Sequence, residues 1–123
     1  MRKVALVACV KDKLNIPSKA IELYNNEAFR TWIKDAQSKD VDQIYILSGK
    51  YGLILPEEII EPYDLNLNSQ TDKYQIEWYR NVLKRLTELE DLNSTHFILY
   101  TNKTYYKGFV DEMKSFEIPY EID

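Results

Sequence analysis

The sequence predicts an α/β fold: a three-layer sandwich with a mainly parallel sheet of three to four strands flanked by helices. Apolar runs of strand length at Lys3–Ala8, Gln43–Leu47 and Thr95–Tyr100 are separated by longer segments in which apolar residues recur at helical spacing. The first two runs are continuously apolar rather than alternating, which marks strands buried on both faces of a parallel sheet. The segment between them is long enough for the helical crossover that parallel pairing requires.

Taken in order, the first strand breaks at Cys9-Val-Lys-Asp-Lys13 and then at Pro17-Ser18. Ser18 is placed to cap a helix whose apolar face collects Ile21, Tyr24, Ala28, Trp32 and Ile33, ending before the polar Ser38–Asp42 break. Gln43–Leu47 follows as the second strand. From Gly52 to Gln70, with Pro56, Pro62 and several asparagines, the chain reads as a long ordered loop with one helical turn at Glu57–Ile60. Thr71 or Asp72 starts the longest helix, in which Tyr74, Trp78, Val82, Leu86 and Leu89 form one stripe. Thr95–Tyr100 is a third strand and Thr104–Phe116 a third helix. Ile118–Ile122 is an edge strand, where its proline is tolerated.

With 123 residues, 45% of them hydrophobic and 13% aromatic, the chain is expected to form a single domain, 1–123, with its own core. Ten tyrosines against four phenylalanines mean that many rings must place a hydroxyl in water or on a partner. A net charge of −4 argues against a global field for nucleic acid, so any such contact must be local. One cysteine and one histidine exclude an internal disulfide and a zinc cluster, and no metal or cofactor is expected. No apolar run approaches a membrane span, and Met1-Arg2-Lys3 leads into a run too short for a signal-peptide core, so a cytoplasmic location without membrane association is expected.

Ligands of α/β proteins usually bind beyond the carboxyl ends of the strands, and the candidate residues collect there. Ser48-Gly49-Lys50-Tyr51-Gly52 lacks the full phosphate-loop spacing, which argues against a Walker-type NTPase. Ser48, the amides near Gly49 and Lys50 are nevertheless candidates to hold a phosphate or carboxylate; the alternative is a tight turn with a solvated lysine. Cys9 is a candidate nucleophile if Lys11 or Lys13 lowers its pKa, although buried free cysteine more commonly serves as a small hydrophobe. Asp64, in Pro62-Tyr63-Asp64, is a candidate general base or ribose ligand, or else simply shapes an Asx turn. Asn102 and Lys103 follow the third strand. Tyr51, Tyr63, Tyr105 and Tyr106 offer stacking surfaces, with one of the last pair instead starting the third helix's core face. His96 precedes its strand, at the wrong end for this site, and is assigned no chemistry.

Cys9-Val-Lys-Asp-Lys13, Leu23-Tyr-Asn-Asn-Glu-Ala-Phe29, Ile46-Leu-Ser-Gly-Lys-Tyr-Gly-Leu53 and Pro62-Tyr-Asp64 keep order and spacing over about two-thirds of the chain. Together they resemble a small uncharacterised bacterial and phage domain family, with Asn26 standing where that family has serine. More distantly the chain is similar to a domain of archaeosine-forming enzymes and to the peroxide-stress protein YaaA. The resemblance implies a three-layer α/β fold and a role with modified bases or nucleosides.

The resulting expectation is an enzyme acting on an N-glycosidic bond or base, glycosylase-like or transglycosylase-like. Asp64, Ser48 and Cys9 are the catalytic candidates. Lys11, Lys13, Lys50, Tyr51, Gly52, Tyr63, Asn102 and Lys103 are the ligand-binding ones. Its partner would be a nucleoside, nucleotide or nucleic acid. The alternative is a non-catalytic nucleotide- or protein-binding module of phage or mobile-element origin, which the acidic charge and lone histidine favour.

Overall fold

A computed structural model describes residues 2–101, together with 111, 113, 114 and the backbone of 120–122. Its elements are β1 (Arg2–Ala8), β2 (Ser18–Lys19), α1 (Ala20–Leu23), α2 (Glu27–Ser38), β3 (Gln43–Ser48), β4 (Gly52–Ile54), β5 (Ile59–Ile60), a 3₁₀ turn (Leu67–Ser69), α3 (Asp72–Leu89), β6 (Thr95–Tyr100) and β7 (Tyr120–Ile122).

The main sheet has the order β4-β3-β1-β6-β7. The central β1 runs parallel to β3, with Val4 opposite Gln43 and Ala8 opposite Leu47, and parallel to β6, with Lys3 opposite His96. β7 is a parallel edge strand on β6, as expected for the segment after Pro119. β4 pairs antiparallel with β3 at the other edge, and β2 and β5 form a separate antiparallel pair.

Alternate residues of β1 divide the core in two. Val4, Leu6 and Ala8 pack with Trp78, Val82, Leu83 and Leu86 of α3, whereas Ala5 and Val7 pack with Leu23 of α1 and with Phe29, Ile33 and Ala36 of α2. Helices therefore cover both faces of the sheet, which accounts for the unbroken apolar runs of β1 and β3.

Several local expectations are corrected. The first helical segment is two helices, and Ser18 caps neither: it pairs with Ile60 in the small sheet while its hydroxyl donates to the Ile16 carbonyl. The break falls after Tyr24, and Asn26 caps α2 by accepting from the amides of Ala28 and Phe29 at 2.8 and 3.3 Å. Ala28 is accordingly exposed. The Gly52–Gln70 loop contains β4 and β5, so Ile59 and Ile60 lie in a strand rather than a helical turn. β4 needs only three residues because Gly52, at φ 75°, turns the chain back onto β3. Leu89 is exposed on the last turn of α3, while Thr71 caps that helix through the Tyr74 amide. Of the expected third helix, Asp111, Met113 and Lys114 are described and helical, with Met113 buried against the α3 face.

The two ends of the sheet differ. At the amino end, Glu90 is buried and accepts from Arg2 Nε at 2.5 Å, Arg2 Nη2 at 3.2 Å and the Tyr45 hydroxyl at 2.6 Å. Burial opposes its ionisation, but these hydrogen bonds prevail and hold its pKa below the ordinary carboxylate value. The same surroundings push the Tyr45 phenol up to about 12 through burial and the adjacent carboxylate. The carboxyl end carries the loops.

Candidate functional site

β1, β3 and β6 are parallel, so Cys9, Ser48 and Thr101 leave the sheet at one rim. The Cys9 amide donates to the Leu47 carbonyl at 2.9 Å, extending the ladder one residue past β1. The following loop is stitched to the end of α1: Leu14 N–H donates to Leu23 O at 2.8 Å, and Asn25 N–H donates to Asp12 O at 2.9 Å. Lys13 is thereby held opposite Tyr24 in an isolated bridge.

Three hydroxyls form the centre of the rim. Ser48, wholly buried, accepts from the amides of Lys50 and Tyr51 at 3.3 and 3.0 Å and donates to the Tyr63 hydroxyl at 2.8 Å. The Tyr63 oxygen lies 2.7 Å from that of Tyr24. Burial, reinforced by the neighbouring Cys9, raises both phenols well above their ordinary range, so both remain neutral. Two further bonds fix the strand exit, from Trp78 Nε1 to the Ser48 carbonyl at 2.7 Å and from the Tyr74 hydroxyl to the Gly49 carbonyl at 2.8 Å. Gly49 lies against Leu65 and Leu67, where an added Cβ would meet the Leu65 side chain at an ordinary 3.4 Å.

Lys13 lies above this chain. Its ammonium is 4.4 Å from the Tyr63 ring centroid and 5.7 Å from that of Tyr24, and it donates to the Lys11 carbonyl at 3.0 Å. Burial lowers its pKa, against the opposing pull of Cys9, Asp64 and Asp12. Desolvation makes this ammonium a stronger acid, and once deprotonated a readier nucleophile, than a surface lysine, while the aromatic faces favour its charged form. Tyr51 packs edge-to-face on Tyr63, with centroids 5.5 Å apart. Beyond Tyr51, a cleft of about 160 Å³ opens between the β3–β4 turn and α3, lined by Lys50, Tyr51, Tyr74, Glu77, Trp78 and Asn81.

The candidate residues thus divide. Cys9, Lys13, Ser48, Tyr63 and Asp64 gather around the three hydroxyls, with Cys9 half-buried and Asp64 exposed. Lys50, Tyr51 and Gly52 line the adjoining cleft. Lys11 contributes its carbonyl, and its residue is exposed. Ser48 is committed to hydrogen bonds that shape the turn and hold Tyr63, which makes it a positioning residue. Asn102, Lys103, Tyr105 and Tyr106 lie outside the described residues.

Sequence reasoning missed Tyr24, Tyr74, Glu77, Trp78 and Asn81 at this rim. Tyr24, Tyr74 and Trp78 were legible only as helix core, because periodicity shows which face a ring occupies and not where its polar atom ends. Among the described residues, no group of three or more His, Cys, Asp or Glu is placed to hold a metal, and no helix is long and apolar enough to cross a membrane.

The fold and rim define an α/β protein with polar and aromatic groups gathered at the carboxyl edge of a parallel sheet. Within that class the chain belongs to the DUF6884 family, a family of unknown function, which it matches over residues 4–122. It is also 30% identical over 109 residues to a UPF0246 protein of Malacoplasma penetrans (strain HF-2), in a match covering 80% of this chain and 43% of that protein. The chain therefore spans less than half the length of that relative. UPF0246 is the YaaA family, in accord with the similarity read from the motifs. No solved structure shows significant similarity to the chain.

Proposed function

We propose that the chain is an enzyme that binds a nucleoside or nucleotide at this rim and acts on the base or its N-glycosidic bond. One observation carries the reading: the Lys13 ammonium, desolvated on the face of Tyr63 and electrostatically coupled to Cys9 and Asp64. A half-buried cation, an exposed carboxylate and ring faces along one rim are groups that can orient a base and move a proton at it. In this reading Lys13 holds an anionic group or donates a proton to the departing base. Asp64 activates the incoming nucleophile, and Tyr51 provides a stacking wall. Ser48 and Tyr24 keep Tyr63 in place. The distant resemblance to a domain of archaeosine-forming enzymes supports the same substrate class.

A non-catalytic binding module is the second reading. It is favoured by the mutual use of the Ser48, Tyr63 and Tyr24 hydroxyls, which leaves fewer groups for chemistry.

The deciding experiment incubates the protein with nucleosides, nucleotides and oligonucleotides containing standard and 7-deaza bases, and measures free base by chromatography. A parallel thermal-shift series reads binding, since a ligand that binds the native state raises its stability. Base release by wild type that is lost in Lys13→Ala and Asp64→Asn supports the enzyme. Binding without release supports the module. Absence of a shift with every ligand refutes both.

A further inference from the structure

We infer that the rim takes single-stranded nucleic acid rather than a free nucleoside, with the cleft between α3 and the β3–β4 turn receiving the base next to the one at Lys13 and Tyr63. This inference rests on the nucleoside reading above and adds the path of the strand.

Size sets the first constraint. At about 160 Å³ the cleft is smaller than the roughly 300 Å³ at which pockets for drug-sized ligands begin, so it suits one ring and not a whole nucleotide. Its walls set the second. Tyr51 is 39% exposed, meets Tyr63 with its ring edge-to-face, and carries the Lys50 ammonium 5.2 Å from its centroid. It therefore stands between the cleft and the Lys13 site, so groups bound in the two would be successive along one chain.

The lining has the chemistry of a base site. Tyr74 and Trp78 turn their polar atoms onto the Gly49 and Ser48 carbonyls, so the half-buried Tyr74 ring offers the cleft an apolar wall, to which Trp78, only 6% exposed, adds little. Glu77 and Asn81, one helical turn apart and both exposed, offer a carboxylate acceptor and an amide that both donates and accepts, matching the mixed edge of a base.

Exposed cations, interleaved with Glu77 and Glu88, run along α3 next to the cleft although the protein carries a net charge of −4. Lys73, Arg80 and Lys84 are exposed, and their 7- and 4-residue spacing puts them in one row along α3 beside Glu77, on the solvent side of the cleft-lining face. Lys50 stands on the opposite lip. Rows of cations beside aromatic pockets that accept unstacked bases are how single strands are held, with the backbone on the cations and the bases on the rings. A duplex could fill the cleft only by flipping a base out of its stack, at a cost of about a few kcal/mol that a single strand does not bear.

The test measures binding of a labelled single-stranded oligonucleotide of mixed sequence by fluorescence anisotropy, with mononucleotides, the matching duplex and an oligoglutamate as competitors. The single strand should bind at least about tenfold more tightly than any mononucleotide, from one additional stacked base and the phosphate contacts. Three phosphates neutralised by Lys73, Arg80 and Lys84 give a log–log salt slope of about −2. Arg80→Glu/Lys84→Glu, on exposed positions, should remove most of that advantage and flatten the slope while mononucleotide binding is unchanged. Asn81→Ala should weaken the oligonucleotide about tenfold with the slope retained. The inference is overturned if the single strand binds no more tightly than a mononucleotide, if duplex or oligoglutamate competes equally well, or if the double variant leaves affinity and slope intact. Mononucleotide binding without any gain from the strand sinks this inference alone. Absence of binding by both sinks the nucleoside reading and this inference with it.

Discussion

Replacing Tyr63 with Phe removes the middle oxygen from a chain of three and leaves two enclosed hydroxyls facing the gap. Ser48 is 0% and Tyr24 1% exposed, so neither can turn to bulk water. A buried polar group deprived of its partner costs about 1–3 kcal/mol. Ser48 keeps the amides of Lys50 and Tyr51, and the half-buried position of Tyr63 lets water repair part of the loss, which sets the expected cost at about 2 kcal/mol. With a urea m-value of about 2 kcal/mol/M for a domain of this size, the unfolding midpoint should fall by about 1 M. The ring remains, so the Lys13 contact does not confound the measurement. Tyr51→Phe, at an exposed residue, should stay within about 0.5 kcal/mol of wild type. The double variant Tyr24→Phe/Tyr63→Phe should cost less than the sum of its parts by about 1 kcal/mol, because their shared hydrogen bond can be lost only once. A midpoint for Tyr63→Phe indistinguishable from wild type, or strict additivity in the double variant, would refute the hydroxyl chain as the element that sets the rim.

Three further outcomes are expected. The folded pKa of Glu90 lies below its unfolded value of about 4.3, so its contribution is complete above that pH and is lost as pH falls through the folded value. Glu90→Gln should therefore cost about 2 kcal/mol at neutral pH and show a flatter acid limb than wild type in urea titrations from pH 7 to about pH 3. Asn26→Ala should cost about 1 kcal/mol by leaving the first amides of α2 uncapped, while Asn26→Ser should lie within about 0.5 kcal/mol of wild type by thermal denaturation. Gly52→Ala should cost about 1–2 kcal/mol from its positive φ alone, because the added carbon would meet only Val82 Cγ2 at an ordinary 3.7 Å; equal stability would show that the turn relaxes.

The strands and long helix were legible because burial on two faces leaves an unmistakable pattern. β1 and β3 carry continuous apolar runs and β6 ends in one, Phe97–Tyr100, and the stripe of α3 follows from its contact with the even-numbered residues of β1. β4 and β5 were not legible, since elements of two or three residues leave no period and are set by tertiary partners. Gly52 was read as part of a polar cluster, and nothing local shows that its φ sends the chain back along β3. Asn26 shows a different kind of illegibility: the cap was expected at Ser18, and nothing local shows that the helical pattern breaks after Tyr24 and restarts at Asn26. For the rim, the strand-exit rule placed Cys9, Lys13 and Ser48 together, but only coordinates could show that Ser48 faces inward and that Tyr24, half of a core stripe, supplies the third hydroxyl.

The roles at the rim follow from how far each group is committed to its neighbours. Ser48 has its hydroxyl engaged three times and no exposure, so a ligand could reach it only by dismantling the turn. Asp64 is the converse, exposed and coupled to the site chiefly through the Lys13 charge. Lys13 lies between: fixed by a carbonyl and two ring faces, partly desolvated, yet with donor hydrogens beyond the one given to Lys11. Only such a group combines a fixed position with capacity for a new partner, so the largest loss of function on substitution is expected at Lys13. Lys13→Arg separates charge from proton chemistry there, because a guanidinium holds an anion but does not release its proton near neutral pH. If ligand binding survives in Lys13→Arg while base release is lost, the lysine acts through its proton or its lone pair. If both survive, its contribution is charge alone.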